Sequence, residues 1–425
     1  CSEGARMPVI GRPEQGHHRR AHHPFDGVPA GDGGADWERI RGQKDELVAQ
    51  LRQAKYADVL RSYEAITLVE QRAALASAHS VQLADGRVLT AGKVIVTTGA
   101  SPWAPPIPGL AEAGYLDNAS AMALGRLPAS LIVVGASTVG LELAQMFSRF
   151  GVRVTVLEAL PRVVPAEDPV IGEALSEYLR SEGMEIRVGV SIERASRAAS
   201  GYVVQFRDGA GAAEARAEQL LVAAGRRANT RGFGLEEAGV ALGRKGEITV
   251  NDFLQTSNPD VYAAGDVVGD PMFVYVAAYA GAVAAENALS GNTRRYDLTA
   301  LPRVTFTDPA VAAVGITDAH AAADGMDIVT ATLSLTHVPR ALAARDTRGF
   351  VKLVADAATR KILGAHILAA EAGEMVTEAA LAIRHGLTIE DLSSTFHPYL
   401  TLSEGIRLAA QAFDKDVAKL SCCAA

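Results

Sequence analysis

The sequence predicts an α/β protein built on a parallel sheet with crossovers, and three observations carry that expectation. An apolar, β-branched run, Leu131–Val134, passes through a glycine turn into a helical stretch, Leu141–Phe150, and then a second strand, Arg153–Leu157, in βαβ order. Strand-like and helix-like periods go on alternating over much of the chain. At 425 residues the chain also exceeds one ordinary domain, so two or three units are expected.

Taken in order, residues 1–34 follow neither period and are expected to be poorly ordered. Asp36–Leu60, with Leu47, Leu51, Ala54 and Val59 on one helical stripe, predicts an amphipathic helix. Short β runs follow in Ala65–Glu70, Ser80–Asp85 and Lys93–Gly99, with a turn at Asp85-Gly86. The Pro-rich Pro102–Pro108 predicts a connection between domains. After the βαβ unit come a helix at Pro169–Ser181, a strand-rich return and an apolar strand, Gln219–Ala224. Val261–Asp266 reads as a strand running into an Ala-rich helix. From Leu301 the pattern gives a strand at Arg303, a hairpin over Gly349–Ile367, and helices Glu374–His385 and Ser403–Phe413.

Composition narrows the function classes. A hydrophobic content of 48% with 21% charged residues describes a globular chain, and the longest apolar stretch, Phe273–Ala285, is too short to span a bilayer. No membrane insertion is expected. A net charge of −8 without a basic face argues against nucleic acid as a partner. Three cysteines, Cys1, Cys422 and Cys423, are too few for a disulfide framework, and residues 1–34 contain no apolar signal core, so a cytoplasmic location is expected.

Gly135-x-Ser137-x-x-Gly140 lies between strand and helix, the context in which a glycine fingerprint marks a dinucleotide site. Gly135 permits the tight turn and Gly140 permits close helix–strand packing, while the helix N-terminus faces a pyrophosphate. Ser137 stands where glycine is preferred, and its Cβ crowds the phosphates. Glu158 ends the second strand 23 positions after Gly135, where a carboxylate accepts ribose hydroxyls and favours NADH over NADPH. Arg162 nearby leaves tolerance for a 2′-phosphate.

Thr98-Gly99-Ala100-Ser101-Pro102, this fingerprint, Gly225-Arg226-Arg227-x-Asn229-Thr230 and Thr256–Asp266, in that order, resemble the pyridine nucleotide–disulfide oxidoreductases. The resemblance implies two Rossmann-like domains, for FAD and NAD(P)H, the first incomplete, plus a C-terminal α+β dimerisation domain. The corresponding segments are 1–125 and 256–298 for FAD, 126–255 for NAD(P)H and 299–425 for dimerisation. It implies that Asp266 bonds the ribityl chain, that Val274 touches the isoalloxazine, and that Ala73 and Gly99 lie against the same cofactor.

Within that family the ending Leu420–Ala425, Ala54-Lys55-Tyr56 and Pro398–Thr401 resemble the mercuric reductases. Vicinal thiolates at Cys422 and Cys423 are soft donors suited to Hg(II) and to taking it over from its thiol complexes. Disulfide reductases of this family carry His-Pro-Thr-x-x-Glu, whose His is a thiol acid/base oriented by the Glu. Counting back five from Glu404 reaches Tyr399, so a tyrosine replaces that base, and His397 is expected to be a helix-flanking surface residue. The resemblance places Tyr56 and Tyr399 on either side of the mercuric ion, and a homodimer would let Tyr399, Cys422 and Cys423 of one subunit serve the flavin of the other.

The family's first strand–GxGxxG–helix and its C-x-x-x-x-C redox pair are not found in this sequence. Cys1 precedes Pro24-Phe25-Asp26-Gly27 by about the distance of the second redox cysteine, which suggests a truncated chain with a shifted frame up to roughly His23, weak FAD binding and an inactive fragment. The rival readings are a dihydrolipoyl dehydrogenase-like reductase, favoured by Glu158 and opposed by Tyr399, and a dimeric thiol protein that only sequesters metal.

Overall fold

A computed structural model describes residues 35–419, with Gln15 and His18 besides. Cys1, Cys422 and Cys423, and the expectations placed on them and on residues 1–34, lie outside that range. The chain divides into two compact units, each treated by itself.

The second unit, Pro8–Ile40, Pro105–Ala224 and Thr299–Ala425, holds the predicted parallel sheet. Its strand order is Gln219–Val222, Ser130–Val134, Arg153–Leu157, Glu185–Arg187, all parallel. Every residue of Ser130–Val134 is buried, as a strand with neighbours on both edges and cover on both faces requires. Helices Thr138–Arg149 and Pro169–Ser181 are the crossovers, the latter started by the Asp168 side chain accepting from Val170 N–H with proline at the first helical position. Three antiparallel strands, Ser191–Ala198, Gly201–Asp208 and Gly211–Ala217, extend this part.

The C-terminal part of the same unit is a five-stranded antiparallel sheet ordered Arg303–Thr305, Ala310–Gly315, Ile362–Ala369, Phe350–Asp356, Ile328–Ser334. Helices Ala372–His385 and Glu404–Gln411 contribute Met375, Ala379, Ile406 and Ala409 to one core with Leu353 and Ile367 of the sheet. A buried ionic lattice ties the two parts together. Arg149 pairs with Glu182 at 2.7 Å and Asp308 at 3.0 Å, and Arg348 reaches Asp308 at 3.0 Å and Glu182 at 3.3 Å. With nearly all of these groups out of water, removing one partner strands a charge and costs about 3–5 kcal/mol.

The first unit, Cys1–Met7, Arg41–Ala104 and Gly225–Leu298, pairs Val94–Val96 with Val261–Ala263 in parallel and Ala100–Pro102 with Arg226–Ala228 in antiparallel. A meander of Ala73–Ser77, Ser80–Leu83 and Val88–Thr90 packs Leu75 against Leu235, Val261 and Val267. Helix Val274–Ser290 covers Tyr262 and Leu254 with Ala280, Val283 and Ala284.

Two expectations are corrected. Ala65–Glu70 is not a strand: it has no neighbouring strand and Ile66 and Leu68 are exposed, while the strand next to Ser80–Leu83 is Ala73–Ser77. The predicted helix forms as Trp37–Arg52, continues through a π-turn, Gln53–Ala57, and ends in Asp58–Arg61. Its buried side carries Trp37, Lys44 and Val48, and the stripe of Leu47, Leu51, Ala54 and Val59 is exposed. Trp37, in the second unit, has its ring 6.0 Å from Phe147 and 5.7 Å from Phe150, and its indole N–H donates to Leu124 O at 2.8 Å.

Candidate functional site

In the second unit the glycine fingerprint is enforced by backbone contact. Gly135 has φ +104°, and a Cβ there would lie 2.5 Å from Ala223 O; one on Gly140 would lie 2.0 Å from Gly135 O. Ser137 is extended and exposed, its side chain makes no cap bond, and the first N–H groups of the twelve-residue helix behind it open onto the turn. The turn therefore offers an anion cradle with the positive end of a helix dipole behind it.

Glu158 is 7% exposed, and its oxygens bracket that cradle: Oε2 accepts Ala136 N–H at 2.6 Å and Oε1 accepts Leu160 N–H at 2.8 Å. A carboxylate has about four acceptor positions, so two remain for ribose hydroxyls. Arg162 donates to Pro165 O at 3.2 Å. One residue went unremarked in the sequence. Glu142 is the one charged residue of its helix before Arg149; its Oε1 accepts Phe306 N–H at 2.7 Å, and burial pushes its carboxyl up to about 7. At neutral pH it can donate or accept a hydrogen bond beside the nucleotide turn. An isolated acid on an otherwise apolar helix face was the available signal.

The residues that the resemblance assigns to the flavin, Ala73, Gly99, Asp266 and Val274, all fall in the first unit. Asn229 knits two of the flagged motifs together, donating from Nδ2 to Thr98 O at 3.0 Å and from its N–H to Gly99 O at 2.8 Å, and accepting Ser101 Oγ at 2.8 Å. Ala73 opens its strand opposite Leu83. Asp266 starts a short 3-10 turn; it is half-buried, and among the described residues its carboxylate has no hydrogen-bond partner. Beyond it, Val274 is exposed and Phe273 stacks on Tyr275 at 5.3 Å. An unpaired acceptor beside an exposed apolar surface suits a polyhydroxylated chain attached to a flat ring, so these residues fit FAD.

Tyr56 belongs to the first unit, exposed on the π-turn; Tyr399 and Glu404 belong to the second. Tyr399 is 55% exposed, and Glu404 is buried at the start of its helix with Oε2 unpartnered and Arg407 at 3.8 Å. His397 is not the surface residue its position suggests. Its side chain is 4% exposed, with Nε2 2.7 Å from Glu378 Oε1 and Nδ1 3.0 Å from Thr395 O. The Glu378 hydrogen bond raises its pKa above the ordinary histidine value. Among the described residues no helix is long and apolar enough to cross a membrane.

Residues 11–281 match the family model described as pyridine nucleotide-disulphide oxidoreductase, and residues 301–410 match the dimerisation domain of the same family. The chain is 43% identical to a mercuric reductase of Staphylococcus aureus over 94% of this chain and 73% of the relative. It is 43% identical to one of Streptomyces lividans over 98% and 88%. Among solved structures, the HOCl-induced flavoprotein disulfide reductase RclA of Escherichia coli superposes with a TM-score of 0.85 at 28% identity, covering 97% of this chain and 89% of that one. LpdA of Mycobacterium tuberculosis gives 0.85 at 26% identity over 96% and 90%.

Proposed function

We propose a function from the premise that this chain belongs to the pyridine nucleotide-disulphide oxidoreductases: it is a mercuric reductase that uses FAD and NAD(P)H to reduce Hg(II) to Hg(0). The observation that carries this is the sustained identity with mercuric reductases through both family domains. When bound, the nicotinamide and flavin supply a hydride's two electrons, so that NAD(P)H and Hg(II) become NAD(P)+, a proton and Hg(0).

The chain's own groups position these reactants. The turn at Gly135, Ser137 and Gly140 takes the pyrophosphate, and Glu158 takes the ribose hydroxyls. A 2′-phosphate would bring negative charge against that buried carboxylate, so NADH serves at least as well as NADPH. Ala73, Gly99, Asp266 and Val274 hold the flavin. Tyr56 and Tyr399 stand beside the metal, and Glu404 orients the segment carrying Tyr399. Cys422 and Cys423 take Hg(II) from its thiol complexes by ligand exchange. The enzyme works as a cytosolic homodimer, and the division into FAD, NAD(P)H and dimerisation segments given above is part of the same proposal.

The tail is the most discriminating test, because a dihydrolipoyl dehydrogenase-like enzyme would be indifferent to it. In a chain to which the family's first FAD segment and redox pair have been restored, replacing Cys422 and Cys423 together by Ala should abolish turnover of Hg(II) presented as a complex with bulky thiols while sparing nicotinamide oxidation by a dye. Undiminished mercury turnover under those conditions would defeat the ligand-exchange role.

A further inference from the structure

The segment between helices Ile389–Ser394 and Glu404–Gln411 packs Leu402 against the C-terminal core and turns other side chains outward. Phe396 is 99% exposed, Tyr399 55% and Leu400 45%. Here the backbone is held at three points. At the start, Thr395 N–H donates to Asp391 O at 3.1 Å. At the end, Thr401 Oγ1 donates to Pro398 O at 2.9 Å and accepts Glu404 N–H at 3.3 Å, closing a tight turn in which Leu400 takes φ +61°. In the middle, His397 alone turns inward. Both its ring nitrogens meet acceptors, Glu378 Oε1 on helix Ala372–His385 and Thr395 O on its own segment, an arrangement that the doubly protonated ring satisfies completely. The other charged groups on that side are Arg407, whose charge opposes the imidazolium, and Glu404, which faces Arg407.

We propose that the His397–Glu378 pair is a positioning pin, which fixes the Thr395–Thr401 segment to helix Ala372–His385 and so holds Tyr399 where it serves the mercuric step. The pin rests on the assignment of Tyr399 to that step. His397 touches no substrate; it acts through the tyrosine two residues on. Glu378 is the fixed end, because it stands on a helix whose opposite face lies in the core of the C-terminal sheet.

The test compares His397→Ala, His397→Gln, Glu378→Ala and Tyr399→Phe by hydrogen exchange of the peptide spanning 395–401 in the full chain, and by steady-state kinetics with Hg(II) in the same chain carrying the family's first FAD segment and redox pair. In His397→Ala and Glu378→Ala that peptide should exchange at least about tenfold faster. Their kcat for Hg(II) should fall as far as in Tyr399→Phe, with KM for NADH unmoved. His397→Gln, whose amide still donates to Glu378, should recover most of both. Exchange in His397→Ala equal to that of the parent would overturn the pin whatever the kinetics. So would full mercury turnover in His397→Ala alongside a slowed Tyr399→Phe. If Tyr399→Phe itself is not slowed, the assignment of Tyr399 fails instead, and the exchange data still decide whether the segment is pinned.

Discussion

The nucleotide turn and the flavin segment are built from like ingredients, a β-branched strand running into glycine, yet they are held in different ways. Ser130–Val134 has a parallel neighbour on each edge and no exposed residue, and the glycines after it sit where a single added carbon would strike backbone. Val94–Val96 has, among the described residues, one neighbour, and Ile95 is exposed. A Cβ on Gly99 would meet nothing within 4 Å. One site is shaped by exclusion of volume; the other is shaped by the hydrogen bonds of a single asparagine.

The largest effect should separate them on that ground. Gly140→Ala forces a carbon against the Gly135 carbonyl and should destabilise the nucleotide part by about 3 kcal/mol. Gly99→Ala, strained only by its φ of +69°, should cost about 1 kcal/mol. Thermal unfolding of the two variants measures both, and equal losses would erase the distinction.

A carboxyl whose charge is suppressed by close covering sharpens the comparison further. The Glu142 carboxyl titrates near 7 in the folded chain and near 4.5 when solvated, so between those values the folded state holds the extra proton and stability falls as pH rises. Glu142→Gln removes that slope. Relative to the parent it should gain roughly 2 kcal/mol between pH 5 and pH 8, seen in urea unfolding at the two values. A parallel pH dependence in both proteins would show that the carboxyl is solvated.

The smallest effects should be local and complementary. Glu158→Ala leaves the Ala136 and Leu160 N–H groups without acceptors and should weaken NADH binding about tenfold, with NADPH less affected. Asn229→Ala should leave nucleotide affinity alone and lower bound flavin, read from absorbance. Loss of NADH affinity in Asn229→Ala would mean that the two sites are not independently held.

The same contrast explains what the sequence made legible. Arg153–Leu157 and the helix around Pro169–Ser181 are legible, because a β-branched strand with Val154, Val156 and Leu157 buried and a helix with an Asp-Pro start leave local signals. Ala65–Glu70 has the composition of a strand and lacks the neighbour that would make it one. Leu47, Leu51, Ala54 and Val59 form an apolar stripe by spacing, yet they are exposed, and Val48 on the other side is buried. The inward turn of His397 is not legible in the sequence, because spacing from Glu404 is silent about what holds the loop beneath. Its partner, Glu378, lies 19 positions back on another helix. Glu142 is hidden for a related reason, since the backbone N–H it accepts, that of Phe306, is 164 positions away.

The lattice of Arg149, Glu182, Asp308 and Arg348 bears on how such an enzyme can be recombined. Each arginine bonds acids from both the nucleotide part and the C-terminal part, so neither part carries a self-sufficient set of charges. A chimera that grafts a relative's nucleotide domain onto this C-terminal domain inherits half a lattice. It remains foldable only if the donor supplies an arginine and an acid at the same two places, which makes these four positions the natural suture line for exchanging coenzyme specificity without touching the mercury chemistry.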